Sequence, residues 1–349
     1  MKLVKTEDAV GQVLCHDITQ IIKGVTKDAV FRKGHVIREE DIPVLLSVGK
    51  DSIYIWENDD TMLHENDAAE ILYELCANEH MQKGPVKEGK IELIAEADGL
   101  LKVNAAGLKA INSFGQMMIA TRFGNFPVKK GDKLAGTRII PLVIEKEKMQ
   151  AAKETCLRAT DGQPILELKP FSSKKVGVIT TGNEVFYGRI EDTFTPVIID
   201  KFNEYESPVV AHEIFADDDA KVTDCILKMI DEGCEVICCT GGMSVDPDDK
   251  TPLAIKNTGA NVVSYGAPVL PGAMFMLAYF TTKDGRTVPI MGLPGCVMYA
   301  RRTIFDLVLP RVMADDEVTA EELASLGEGG LCLNCPECTF PNCGFGKGR

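Results

Sequence analysis

Apolar and polar positions divide the second half of the chain into short buried runs separated by amphipathic stretches. Val236-Ile237-Cys238-Cys239 is a continuous apolar run, as in a strand covered on both faces. Val176-Gly177-Val178-Ile179 and Val288-Pro289-Ile290-Met291 have the same character, and 208–215 is a further strand candidate. Between them, 219–232 has the spacing of an amphipathic helix, 250–257 can begin another, and the apolar positions of 297–312 suit a third. From residue 176 the order is β-α-β-α-β-α-β with a closing helix. This predicts an α/β fold, a doubly wound and mainly parallel sheet with right-handed crossovers, over residues 174–313.

The first half reads differently. Residues 1–60 mix short β segments with a helix-like stretch at 39–48. Residues 59–79 place Ala68, Ile71, Leu72 and Leu75 on one side, which predicts an exposed amphipathic helix within a helical segment 61–83. Short β runs at 91–97, 99–103, 117–121 and 138–144 predict a β-rich accessory region over 84–150. Lys129-Lys130-Gly131-Asp132 has the composition of a hairpin turn, and 146–158 suits a connecting helix.

The chemistry gathers where strands end. Thr240-Gly241-Gly242-Met243-Ser244-Val245-Asp246-Pro247-Asp248-Asp249 puts two glycines and then three acids after a strand. Glycine pairs there allow a tight turn whose amides face an anion, and open α/β sheets bind ligands at that edge. Thr180-Thr181-Gly182-Asn183-Glu184 and Gly292-Leu293-Pro294-Gly295 follow strands in the same way, as does the acidic run Asp217-Asp218-Asp219. The acids suit a metal ion or a positioned water; for Asp217 to Asp219 and for Asp249, helix N-capping is the competing explanation.

Thr180-Thr181-Gly182-Asn183-Glu184, the Thr240-Gly241-Gly242-x-Ser244-Val245-x-x-x-Asp249 run, Pro271-Gly272 and Gly292-Leu293-Pro294-Gly295, in this order and spacing, resemble the molybdopterin-binding domain of the molybdopterin molybdotransferases (the MoeA and gephyrin E-domain family) and their smaller adenylyltransferase relatives. A weaker similarity to the lead-in of the same transferases lies at Lys33-Gly34-His35-Val36-Ile37 and Ile53-Tyr54-Ile55. The resemblance implies a pterin ligand, molybdopterin or its adenylate. It would be bound by Thr181, Gly182, Asn183, Glu184, Gly241, Gly242, Met243, Ser244, Pro271, Gly272, Gly292, Pro294, Gly295 and Cys296. It further implies Mg²⁺ on Asp249 and on Asp217 or Asp218, with Asp249 and Asp218 in catalytic positions. The chain also departs from the family. Leu270 and Ala273 stand where lysines flank Pro-Gly and meet molybdate, Asp246 replaces a glycine, Cys296-Val297 replace Asn-Pro, and the Asp-Ser-Ala-Met-Asp-Gly-Tyr-Ala segment is absent. The implied function is a molybdopterin-binding protein of molybdenum-cofactor biosynthesis or delivery. The alternatives are a divergent molybdotransferase that hydrolyses adenylated molybdopterin with Mg²⁺, and a metal- or redox-responsive sensor.

Composition narrows this further. At 349 residues the chain accommodates two or three domains. Its net charge of −14 gives no long-range attraction for nucleic acid or anionic membranes. No run reaches the ~18 apolar residues of a spanning helix, and the N-terminal residues lack a signal-peptide pattern, so a cytoplasmic protein is expected. Expected partners are the pterin itself, other cofactor-biosynthesis proteins or molybdoenzymes, and further copies in a homo-oligomer. Walker, G-x-S-x-G and G-x-G-x-x-G motifs are missing, and the five histidines show no ligand pairing. Twelve cysteines read as reduced thiols or metal ligands rather than a disulfide framework. Four of them, Cys332, Cys335, Cys338 and Cys343, form a C-x2-C-x2-C-x4-C array in the segment 327–349. That array suits an iron–sulfur cluster or zinc, or is a metal-free tail; the segment is too poor in aliphatic residues for a core of its own and reads as separable. Cys296, at the predicted start of helix 297–312, is either a thiol with a lowered pKa or simply packed.

Overall fold

The computed structural model describes residues 2–22, 24–55 and 59–348. The chain forms two compact units, one of residues 1–96, 103–122 and 130–167, the other of residues 97–102, 123–129 and 168–349.

In the first unit, Lys2–Lys5 pairs antiparallel with Ser52–Ile55, and Ile18–Ile22 with Thr26–Phe31. A small core of Ala9, Leu14, Ile18, Ile37, Leu45 and Ile53 lies in this region. The helix expected at 59–79 spans only Glu65–Cys76, because Met62–His64 is a strand paired with Val143–Glu145. The His64 ring accepts the Asn66 amide and so caps the helix, an unusual residue in that position. Strands Met81–Lys83, Lys90–Ala95, Lys133–Ile139 and Met117–Thr121 form a four-stranded antiparallel sheet. Ile91, Leu93 and Ala95 alternate inward along one of them, the period of a half-buried strand. The turn at 129–132 does not close a hairpin. Phe126–Val128, ahead of it, pairs with Gly99–Val103, and Lys133–Ile139, after it, pairs elsewhere. The run 138–144 is likewise split between two strands, and the connecting helix spans Lys146–Ala159.

The second unit holds the α/β sheet. Its six strands lie in the order Val209–Phe215, Val176–Thr181, Val236–Thr240, Thr287–Leu293, Met276–Thr281, Asn261–Tyr265. The first four run parallel, and Met276–Thr281 is antiparallel to both its neighbours. Every residue of Val176–Thr181 and Val236–Thr240 is buried, which accounts for their unbroken apolar runs. Alternate residues feed two cores: Val176, Val178, Val236 and Cys238 one face, Ile179, Ile237 and Cys239 the other. Burial pushes both the Cys238 and the Cys239 thiol far above the ordinary range, so they are packing groups.

The helix expected over 297–312 is two elements. Gly295–Met298 is a single 3₁₀ turn, and the α-helix is Ile304–Met313, started by a capping box between Thr303 and Asp306. All ten residues of that helix are buried. The C-terminal segment is docked rather than separable. Phe345 is only 4% exposed and shares a core with Leu307 and Phe126. A Cβ at Gly346 would overlap the Leu307 side chain, so the chain passes there only as glycine.

Asp316 is the charged anchor of this unit. Its carboxylate meets Lys102 at 2.8 Å, Lys169 at 3.0 Å and the buried Arg311 guanidinium. Burial opposes its ionisation, but the bonds from Lys102 and Lys169 and the Arg311 charge outweigh that and hold the carboxyl below its usual range. Removing the charge takes a partner from three cations, one of them the deeply buried Arg311, which keeps only Glu322 at 3.0 Å as an ion-pair partner. Asp316→Asn is therefore expected to cost about 3 kcal/mol, the size of a broken buried ion pair. The folded pKa lies below the unfolded value of about 3.9, so the contribution is complete above that pH and disappears as the pH falls through the folded pKa. Denaturant unfolding of wild type and Asp316→Asn from pH 7 to pH 3 should show the gap closing; a gap that is absent at pH 7, or constant with pH, refutes this role.

Candidate functional site

The site is built where three parallel strands end level with one another. Thr180 stands opposite Thr240, and Thr240 opposite Leu293, so the turns beginning at Gly182, Gly241 and Pro294 leave the sheet side by side. The contact between the first two is tight. Gly241 has φ +78°, and a Cβ on it would fall within the carbonyl oxygen of Thr181. No other residue meets both conditions. The buried Thr181 hydroxyl joins the loops from below, reaching the Thr240 carbonyl at 3.2 Å and the Thr251 hydroxyl at 2.9 Å.

The Gly241–Ser244 turn is held by its carbonyls. Gly242 O accepts the Thr251 amide at 3.2 Å, and Met243 O accepts the Tyr265 hydroxyl at 2.9 Å. In a trans peptide the N–H points opposite to the carbonyl, so the amides of Met243 and Ser244 are aimed away from these tethers. The Met243 side chain is only 4% exposed and faces the core, against Gly292, where a Cβ would lie 2.6 Å from its Cε. Met243 and Gly292 thus enter the site through backbone and packing. Gly272, at φ +127°, fits beneath Ile304, and the Pro271 carbonyl accepts the Ile304 amide at 3.2 Å. The Pro271-Gly272 turn is thereby tied to the start of the long buried helix.

The acids separate into two groups. Asp218 caps helix Asp219–Asp231, accepting the Lys221 amide at 3.2 Å and pairing with the Lys221 ammonium at 3.1 Å. The capping explanation therefore accounts for Asp218. Asp217 differs: burial pushes its carboxyl up, the Asn183 amide pulls it down, and Glu184, Asp248 and Asp249 push it up again. The structure so brings Asp217, Glu184, Asp248 and Asp249 into one negative field beside the Gly182 and Gly241 turns. Asp249 does not cap the following helix; its carboxylate accepts the Asp246 amide at 3.1 Å and closes its own loop. Asn183 and Glu184 form a short helical turn, and the Glu184 carboxylate would lie 3.0 Å from a Cβ on Gly182.

Cys296 lies in the 3₁₀ turn rather than at the start of an α-helix, and burial pushes its thiol up. Of the two alternatives for this thiol, the packed one agrees with that burial. A second cluster escapes a motif search. Beneath the Thr181 loop, the Thr180 hydroxyl meets Asp192 at 3.2 Å, Thr195 at 3.2 Å and His212 Nε2 at 3.1 Å. Asp192 also accepts the Phe194 and Thr195 amides at 2.9 and 3.1 Å. Burial raises its carboxyl, but the Thr195, Phe194 and Thr180 bonds prevail and keep it ionised well into acid. Asp192-Thr193-Phe194-Thr195 is a helix-start signal in the sequence, and it marks this anchor. Among the described residues, no three His, Cys, Asp or Glu side chains converge as a single metal ion requires. Cys332, Cys335, Cys338 and Cys343 are all reduced, and they border one common cavity.

Comparison with known proteins agrees with this geometry. Residues 177–314 match the family described as "Probable molybdopterin binding domain", and residues 3–57 match a domain of unknown function (DUF8806). No curated protein matches the chain. Among solved structures it is similar to the tungsten cofactor synthesizing protein MoaB from Pyrococcus furiosus, at 24% identity over 36% of this chain and 84% of that one, with a TM-score of 0.32. It is also similar to the molybdopterin biosynthesis enzyme MoaB from Thermus thermophilus, at 22% identity over 40% and 91%, TM-score 0.33. The second unit thus contains an α/β region matching a probable molybdopterin-binding domain, and that match supports a role in molybdenum-cofactor biosynthesis.

Proposed function

We propose that the chain binds molybdopterin or its adenylate at the edge formed by the Gly182, Gly241 and Pro294 turns, and acts as a binding or handover protein. The contact of Gly241 with the Thr181 carbonyl carries this reading, because it fixes two loops in which the Met243 and Ser244 amides point away from their carbonyl tethers and would be free to meet an anion. Backbone donors suit a phosphate on a protein of net charge −14, which has no basic field to offer. Thr181, Gly182, Asn183 and Gly242 would line the anion end, and Pro271, Gly272, Pro294, Gly295 and Cys296 the pterin end.

Among the described residues no three acids converge on one point, so a Mg²⁺ ion here would take one or two carboxylates and complete its shell with water and the ligand phosphate. Burial first, and then the charges of Glu184, Asp248 and Asp249, push the Asp217 carboxyl up, and a hard divalent cation would relieve that excess of negative charge. Asp217 and Asp249 would hold it, with Glu184 and Asp248 nearby; Asp218 is committed to its helix. Bound there, the ion would neutralise phosphate charge against these carboxylates. The position where the resembling transferases carry a lysine is Leu270. Its side chain is largely exposed, and its amide and carbonyl are bonded to Gly330 O and the Cys332 amide. No cation is available there for an oxyanion, which favours a binder over a molybdotransferase. The retained acids favour the transferase. The reading places the protein in the cytoplasm, self-associated, passing pterin to cofactor-biosynthesis proteins or molybdoenzymes. The cysteine array is read as a metal site, iron–sulfur or zinc.

Protein purified anaerobically from a molybdopterin-producing host should release a pterin detectable by mass spectrometry. Gly241→Ala should release at least tenfold less while keeping its helical circular dichroism. A wild type that neither carries pterin nor binds added molybdopterin removes the reading.

Asp249→Asn should weaken Mg²⁺-dependent binding of adenylated pterin by roughly ten- to hundredfold, the loss of one charge-assisted contact of about 1.5–3 kcal/mol. Calorimetry with and without Mg²⁺ measures this; equal affinities for the two proteins would remove Asp249 from the metal site. Release of AMP from adenylated pterin only with molybdate present would establish the transferase instead of the binder.

A further inference from the structure

We infer that Cys332, Cys335, Cys338 and Cys343 ligate one cubane iron–sulfur cluster in a cavity between the C-terminal segment and residues 299–302. The inference does not depend on the pterin reading. Its first support is placement. All four thiols border a single cavity of about 390 Å³, together with Pro271, Tyr299, Arg301, Arg302 and Phe340. Cys332 and Cys343 also pack against the domain core, but packing does not account for Cys335 and Cys338, which are exposed beside the same void. The void is many times the space of one water molecule.

The second support is the kind of arrangement. Tetrahedral zinc needs all four sulfurs about 2.3 Å from one point. Here no three ligand side chains converge in that way among the described residues, although all four thiols face the same space. A polynuclear cluster takes its thiolates at separate corners around an inorganic core, which is what a ring of thiols about an open cavity offers. The C-x2-C-x2-C spacing is that of cluster-binding runs, with the fourth cysteine one residue further on than in their usual form.

The third support is charge. Four thiolates and the core carry net negative charge, and two arginines line the same cavity in a strongly acidic protein. Arg301 donates to the Pro336 carbonyl at 2.8 Å, holding the loop between Cys335 and Cys338. Arg302 pairs with Asp306 at 2.7 Å and stacks over Phe340 with its guanidinium 5.0 Å from the ring centre. The protein's own contacts set the frame. Leu270 N–H reaches Gly330 O at 2.8 Å, Cys332 N–H reaches Leu270 O at 2.8 Å, and Phe345 is buried in the domain core. Both ends of the cysteine loop are thus fixed to the α/β unit, and the loop between them encloses the space.

The test uses the full chain, prepared anaerobically and reconstituted with ferrous iron and sulfide. About four iron and four sulfide per chain, with visible charge-transfer absorption bleached by dithionite, are expected. Cys335→Ala and Cys338→Ala, both at exposed positions, should lose most of the iron and the absorption with unchanged circular dichroism; Cys296→Ala should keep both. Thiol alkylation of the wild type gives a readout that needs no variant: the four tail cysteines should be protected after reconstitution and react before it. Stoichiometric zinc without iron, iron retained in the Cys338→Ala protein, or four thiols that react equally before and after reconstitution would each overturn the inference.

Discussion

The register of two buried parallel strands governs the rest of the site. Because Thr180 lies opposite Thr240, the residues that follow, Thr181 and Gly241, come within contact distance, and the second must be glycine. A slip of one residue would turn Thr181 away from Thr251 and send Cys238 and Cys239 to exchanged faces. The same register puts Leu293 opposite Thr240 and brings the Pro294 turn level with the other two. Three loops of unrelated sequence are thus set by one alignment, and none needs long-range contacts of its own to find its place. The buried hydroxyls of Thr180 and Thr181 make that alignment costly to lose, since a shift would leave them unpaired in a dry interior.

Much of this is legible in the chain. Fully buried strands show as unbroken apolar runs, and Gly-Gly after such a run marks a crowded turn. The parallel order follows from the alternation of strand and helix. What the sequence hides has identifiable causes. Met276–Thr281 continues an apolar stretch, so neither its antiparallel direction nor its boundaries show in periodicity; the Asp284-Gly285 turn after it is the available signal. The stretch 297–312 has helical spacing throughout, but the Thr303 capping box restarts the helix in its middle, and local capping prevails over the apolar pattern. Cys296 shows the consequence, since a thiol expected at a helix terminus is instead raised by burial. Asp218 and Asp217 are adjacent and identical in type. Only tertiary context makes one a cap beside Lys221 and the other a member of a carboxylate field.

The C-terminal segment shows how composition misleads about independence. Residues 331–348 are rich in Gly, Pro and Cys, too poor in aliphatics for a core, and read as an appendage. Yet a few aromatic residues suffice when the core they enter belongs to another element. Phe345 and Phe340 reach the cluster around Leu307 and Phe126, and glycines at 330, 346 and 348 permit backbone approach that any Cβ would block. The separability argument fails because it counts only what the segment buries within itself.

Leu270 connects these themes. Its side chain is largely exposed, while its backbone is the rung to which the cysteine segment is hydrogen-bonded. Those two bonds use only the amide and the carbonyl, so they place no demand on the side chain. The neighbouring Pro271 borders the cysteine cavity together with Arg301 and Arg302, and Arg302 is itself paired with Asp306 at 2.7 Å. One turn therefore ties the start of the buried helix and the cysteine segment together, through the Pro271 carbonyl on the Ile304 amide and the Leu270 amide on Gly330.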